Sequence, residues 1–282
     1  EGPYGAMPLG PSDVTVAEVL KQAGYSTAVI GKWDMAGPDA EGIPNHHGFD
    51  YSFGFLHSSH AHNHYPDYLW RNGQKVVLEG NRNGQGDQYS HDLFTEEALE
   101  YIERERDRPF FLYLAYTLPH AELTVPEDSQ NSYLGKFPEK PFEQKQQWSP
   151  GVYNTQETPK AAFAGMISRL DRDVGRLLAK LEGLGLDRDT LVIFTSDNGP
   201  HREGGADPYF FNGSGPLRGI KRDLYEGGIR IPLIARWPGR IEADTTSNHV
   251  SAFWDILPTC AELAGTDAPE EIDGLSMVPS LL

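Results

Sequence analysis

Two short runs constrain the fold most. Phe110-Phe111-Leu112-Tyr113-Leu114-Ala115 and Thr190-Leu191-Val192-Ile193-Phe194-Thr195 show no alternation of apolar and polar residues. A strand with one wet face alternates; a run without alternation needs cover on both faces, as in a parallel sheet between helices. Each is six residues long, a strand's length rather than a helix's. Both runs give way to polar loops, Leu118-Pro119-His120 and Ser196-Asp197-Asn198-Gly199. Open α/β sheets bind ligands beyond the carboxyl ends of their strands, so chemistry is expected in these two loops.

Helical patterns alternate with the strands. Thr15 and Glu18 have capping-box spacing and open a predicted helix from about Thr15 to Ala23, stopped by Gly24. A strand, Ser26 to Ile30, follows and ends at Gly31-Lys32-Trp33-Asp34. A helix is expected from about Thr95 to Arg106. The longest is predicted from a Thr158 cap and Pro159 through Leu181. A strand from Ile229 to Arg236 and a helix from about Trp254 to Ala264 close the pattern. The order predicts an α/β fold with a mostly parallel sheet between helical layers, in which the strand Phe110 to Ala115 should be central. The connections from His57 to His91 and from His120 to Glu157 are long enough to be functional loops.

Composition removes several function classes. With 24 Lys+Arg against 41 Asp+Glu, the 282-residue chain carries −17, which disfavours nucleic acid and anionic membranes as partners. One cysteine excludes an internal disulfide framework and a cysteine-built zinc site. No run approaches the ~18 apolar residues of a membrane-spanning helix. The start, Glu1-Gly2-Pro3-Tyr4-Gly5, has no signal-peptide pattern and reads as processed or truncated.

Several residues are candidates for chemistry. Asp197 and Asn198 offer hard oxygens for Ca²⁺ or Mg²⁺, or simply form an Asx turn. Lys32 and Lys221 are anion-binding candidates or solvated loop charges. His120 is a general acid, an anion donor or an ordinary loop histidine. His57, His60, His62 and His64 crowd one loop and read as pocket-lining or surface residues rather than a zinc site. Tyr65, Tyr68, Trp70, Tyr133, Phe137 and Trp148 are loop aromatics able to stack on a sugar or aryl ring, or to pack the loops themselves.

In combination these segments resemble the sulfatase family of the alkaline-phosphatase superfamily. The resemblance rests on Ala23-Gly24-Tyr25-Ser26-Thr27-Ala28-Val29-Ile30-Gly31-Lys32-Trp33, His47-Gly48-Phe49-Asp50 and Ala61-His62-Asn63-His64-Tyr65-Pro66. It continues through Leu118-Pro119-His120, Ser196-Asp197-Asn198-Gly199, Leu217-Arg218-Gly219-Ile220-Lys221, Tyr225-Glu226-Gly227-Gly228-Ile229-Arg230-Ile231-Pro232 and Arg236-Trp237-Pro238-Gly239. It implies a three-layer αβα sandwich with a large, mostly parallel mixed sheet and hydrolysis of sulfate esters. A formylglycine nucleophile and a divalent cation, typically calcium, come with the resemblance. By position, Asp197 and Asn198 resemble metal ligands, Lys32 and Lys221 the sulfate-binding lysines, and His120 the histidine at the leaving oxygen. The substrate implied is a small aryl sulfate or sulfated sugar, and the protein is expected to be exported to periplasm, exterior or lysosome.

Departures from the pattern carry expectations too. No Cys-x-Pro-x-Arg motif and no adjacent acidic metal ligands of the first strand are found, and the lone Cys260 sits in an apolar helix. Residues 1–282 are therefore read as a sulfatase-type catalytic domain without that first strand and without the C-terminal subdomain, inactive on its own. Asp34 stands where many relatives have a histidine; a histidine of the 57–64 loop is the suggested substitute. A phosphatase, phosphodiesterase or phosphonate hydrolase of the same superfamily, and a non-catalytic anion binder, are the alternatives.

Overall fold

The computed structural model describes residues 8–10, 12–36, 42–143 and 153–282. Trp148 lies outside them. In chain order the elements are α1 (Val16–Gln22), β1 (Ser26–Lys32), β2 (Tyr51–Phe55), α2 (Ser58–Ala61), β3 (Tyr68–Arg71), β4 (Gln74–Val77), α3 (Ser90–Glu105) and β5 (Phe110–Ala115). Then come α4 (Glu127–Gln130), α5 (Pro159–Gly183), β6 (Val192–Thr195), α6 (Glu226–Ile229), β7 (Leu233–Arg236), α7 (Ile256–Ala264) and α8 (Val278–Leu281).

α1 starts as its sequence demands. The Glu18 amide donates to Thr15 Oγ1 at 3.2 Å and the Thr15 amide donates to the Glu18 carboxylate at 2.7 Å, so two orphan amides are satisfied reciprocally. α5 is capped differently from the expectation. Thr158 makes no side-chain cap; its hydroxyl accepts from Gln130 Nε2 at 2.8 Å. The first free amides, Lys160 and Ala161, donate instead to the Glu139 carboxylate at 3.0 and 2.9 Å. A carboxylate so far upstream cannot be read as a cap from local spacing, yet it suits the positive end of a helix. α3 begins at Ser90 rather than near Thr95, because Ser90, His91 and Phe94 are buried and its first turn is core.

A five-stranded mixed sheet has the order β4-β3-β2-β1-β5. β1 runs parallel to β2 and β5, while β3 and β4 are antiparallel additions from the 57–91 connection. Ile30, Phe53, Phe55, Leu69, Phe94 and Tyr101 form the main core, between this sheet and α3. β6 and β7 form a separate antiparallel pair. Two expectations change here. β5 is an edge strand of the five-stranded sheet, and Tyr113 is 43% exposed. The predicted strand from Ile229 is only Leu233–Arg236, because Glu226–Ile229 forms a turn of helix.

The lateral edges of β5 and β6 border one apolar channel. It opens into a cavity of about 1920 Å³ whose walls include Leu112 and Leu114 of β5, Leu177 of α5, Ile193 of β6 and Leu257 of α7. Part of the apolar surface of β5 and β6 therefore lines this channel.

Candidate active site

The carboxyl ends of β1, β5 and β6 converge on one end of this cavity. Lys32, His120, Asp197, Asn198 and Lys221 all line it, together with His62 and His201. Lys32 closes β1 directly after Gly31, which pairs with Gly54 on one side and Ala115 on the other. Gly31 has φ 120° and an added Cβ would lie 2.0 Å from the Ala115 carbonyl oxygen. Only glycine lets the strands approach so closely just before the lysine. Lys32 Nζ lies 3.2 Å from Asp34 Oδ2. Asp34 is therefore the counter-charge of Lys32.

His120 sits in the turn after β5. Its Nδ1 is 2.7 Å from the Ala121 carbonyl oxygen. That oxygen can only accept, so Nδ1 carries the proton and Nε2 of the neutral ring bears a lone pair. Burial, with the charges of Lys221, His201 and His62, pulls its pKa down to about 3, so the ring is neutral near pH 7. His62 stacks on it with centroids 5.3 Å apart and planes 3° apart. Burial first, then Lys32 and Lys221, also lowers the His62 pKa. His62 is thus the member of the 57–64 loop that senses both lysines. His60 and His64 instead pack inward: His60 lies against Phe55 and Tyr68, and His64 is fully buried.

Lys221 is positioned by its backbone, whose amide donates to the Pro200 carbonyl at 2.9 Å. The Asp197–Gly199 turn is anchored when Gly199 donates to the Gly228 carbonyl at 2.9 Å. A Cβ on Gly199 would stand 1.9 Å from the Gly227 oxygen, and Cβ atoms on Gly227 and Gly228 would stand 2.3 Å from the Gly219 oxygen and 2.2 Å from the Asp223 oxygen, so all three positions require glycine. Burial lowers the Lys221 pKa, with Arg222 and Lys32 adding to it and Glu203 and Asp197 opposing. The lysines, histidines and Asp197 therefore act on one another as a single electrostatic cluster.

The donor set for a cation is partial. The Asn198 amide nitrogen donates to the Gly199 carbonyl at 3.0 Å, leaving the amide oxygen for a metal. With the Asp197 carboxylate this makes two hard oxygens, right in kind for calcium or magnesium and short of the roughly six ligands those ions take. Among the described residues no group of three or more His, Cys, Asp or Glu could hold a metal.

The family model for sulfatases matches residues 2–266. The chain belongs to the sulfatase family. It is 31% identical over 303 residues to an arylsulfatase of Hemicentrotus pulcherrimus, covering 99% of this chain and 48% of that protein. It is likewise 31% identical over 288 residues to N-acetylgalactosamine-6-sulfatase of Mus musculus, covering 96% of this chain and 49% of that protein. The crystal structure of Ps i-CgsB in complex with k-i-k-neocarrahexaose superposes with a TM-score of 0.77 at 28% identity, over 97% of this chain and 60% of that one. The chain spans about half the length of these curated relatives.

Lys32, His120, Asp197, Asn198 and Lys221, given site roles from the sequence, line one cavity, and the structure adds His201 to its lining, with Glu203 paired to His201 and Arg222. His201 directly follows Asp197-Asn198-Gly199-Pro200, which is the one sequence signal for it. Cys260 also lines the channel, and burial pushes its thiol up to about 11, an environment that disfavours a thiolate nucleophile.

Proposed function

We propose that the full-length protein hydrolyses the sulfate ester of a small sulfated sugar or aryl sulfate. The observation that carries this is the convergence of Lys32, Lys221, His62 and His120 on one cavity beside Asp197 and Asn198. Sulfuryl transfer concentrates negative charge on the sulfate and leaving oxygens, and preorganised donors aimed there lower its barrier. Lys32 and Lys221 are assigned to the sulfate oxygens. Family membership and the sugar complex of the similar crystal structure support the choice of a sulfate ester on a sugar.

His120 is assigned to the leaving oxygen. To deliver a proton it must be protonated at Nε2, because Nδ1–H is held by Ala121. His120 acts as an acid only if the bound anionic ester outweighs both the burial and the neighbouring positive charges that keep the ring neutral, so its proton is taken up with the substrate. Asp34 limits the idle positive charge on Lys32. Asp197 and Asn198 are assigned to a cation, Ca²⁺ or alternatively Mg²⁺. A formylglycine on a strand seated in the β5–β6 channel, and that cation, would supply the attacking oxygen and polarise a sulfate oxygen.

The open channel and the two-oxygen donor set among the described residues also support the reading that residues 1–282 alone are inactive. Export of the protein is part of the same proposal. Among the described residues no helix is long and apolar enough to cross a membrane.

The test is product analysis. Full-length protein from a host able to make formylglycine is offered aryl sulfate, sulfated sugar and aryl phosphate. Release of inorganic sulfate, abolished by chelation and restored by calcium, is expected. Phosphate release alone, or no turnover of any ester, would overturn the proposal.

A further inference from the structure

The loop from Asp197 to Glu203 touches both arms of the site. Pro200 holds the Lys221 amide at 2.9 Å. His201 Nε2 lies 2.9 Å from the Pro119 carbonyl oxygen, in the turn that carries His120. The His201 ring stacks on His120 with centroids 5.5 Å and planes 18° apart. On its other side, His201 Nδ1 is 3.1 Å from the Glu203 amide and 2.8 Å from its carboxylate. The same carboxylate pairs with Arg222, next to Lys221. Both His201 and Glu203 are largely buried, with side chains 8% and 12% exposed.

We propose that His201 and Glu203 are positioning residues that lock the His120 turn to the Lys221 arm. The proposal rests on the sulfatase reading of His120 and Lys221. Its geometry is a short chain of contacts: His120 turn, His201, Glu203, Arg222. The chain spans two segments far apart in sequence and ties a leaving-group histidine to an anion-binding lysine. Nε2 of His201 must be the donor, since the Pro119 carbonyl only accepts. The imidazole face, meanwhile, restricts rotation of His120. Nε2 reaches the His120 turn, while Nδ1 accepts from the Glu203 amide of its own loop, whose carboxylate pairs with Arg222 beside Lys221. Misplacement of a catalytic group by about 1 Å can cost on the order of 100-fold in rate, so loss of this lock is read in turnover.

The test uses full-length protein with His201→Phe, His201→Gln and Glu203→Gln. Phe keeps the stacking face but donates nothing; Gln keeps a donor able to reach a carbonyl. His201→Phe is expected to lower kcat on the order of 10- to 100-fold with little change in KM or melting temperature, and His201→Gln to restore much of it. Glu203→Gln should fall between them. Nitrogen NMR of the His120 ring supplies a readout that needs no turnover. The wild type should show a single set of His120 ring resonances, and His201→Phe doubled or broadened ones, because the turn is no longer tied through the Pro119 carbonyl. An unchanged kcat, or a loss that tracks melting and is not restored by Gln, would overturn the proposal. So would an unchanged His120 spectrum. If the wild type hydrolyses no sulfate ester, the functional reading fails, and the NMR result alone decides whether His201 orders His120.

Discussion

At the scale of single residues, the chemistry depends on which groups are kept uncharged. His60, His64 and His120 all have pKa values pulled down by burial, to about 4, 4 and 3. His64 is the cleanest case: it is fully buried and its Nε2 lies 3.0 Å from the His120 carbonyl oxygen. Its pKa falls from the ordinary histidine value of 6.5 to about 4 in the fold. The unfolded chain therefore binds this proton first on acidification. The stability tied to neutral His64 is complete above pH 6.5 and is lost as the pH falls toward 4. That shift corresponds to about 3 kcal/mol. Wild-type protein is expected to lose about 2 kcal/mol more than His64→Gln between about pH 7.5 and 4.5, measured by urea unfolding. Equal losses would refute the assignment. The crowded histidine loop is legible in the sequence, but the division of labour within it is not. Which of His57, His60, His62 and His64 faces the cavity depends on how β2 and α2 seat the loop, and these closely spaced polar residues have no period that reveals it.

At the scale of elements, local signals are legible and long-range ones are not. The Thr15–Glu18 box, β5 and the body of α5 can be read because caps, apolar runs and helical period are properties of neighbours in sequence. β2, β3 and β4 carry no such signal: β2 is short, and β3 and β4 lie inside a loop-like stretch rich in turn residues. The cap of α5 comes from Glu139, a contact made by the tertiary fold. Glu139→Ala should therefore destabilise the protein by about 1 kcal/mol, with Thr158→Ala costing clearly less. Chemical denaturation of the two variants checks the order. A larger loss from Thr158→Ala would show that the local cap dominates after all. The α3–α5 contact is held by buried polar groups as well: His91 Nε2 lies 3.1 Å from Asp173 Oδ2, and Arg169 Nε donates to Asp92 at 2.6 Å. None of these pairings has a signature in either helix alone.

At the scale of the whole molecule, the five-stranded sheet and the β6–β7 pair are separated by the apolar channel that ends at the site. The sequence predicts apolar β5 and β6 with cover on both sides; among the described residues β5 packs on α3 and β1, β6 pairs with β7, and Tyr113 and Phe194 remain exposed. An exposed apolar patch of this kind marks an interaction surface or an aggregation hazard. Residues 1–282 alone are expected to bind a hydrophobic dye strongly and to self-associate at micromolar concentration, whereas full-length protein should do neither. Weak dye binding by both would mean that the channel closes without a further strand. The candidate site is legible as a set of motifs because each strand-end loop carries its chemistry within a few residues. Its assembly is not, because the lock through His201 and the His62 stack are contacts between distant loops.

The central claim is that the lysine–histidine cluster stabilises sulfuryl transfer, and Lys221 tests it most directly. The decisive measurement is kcat/KM for aryl sulfate with full-length wild type and Lys221→Ala, alongside their melting temperatures. A fall on the order of 100-fold or more, with melting essentially unchanged, is predicted from the few kcal/mol that a fixed donor supplies to a charged transition state. Turnover equal to wild type would contradict the claim, and so would a loss of activity fully matched by a loss of stability.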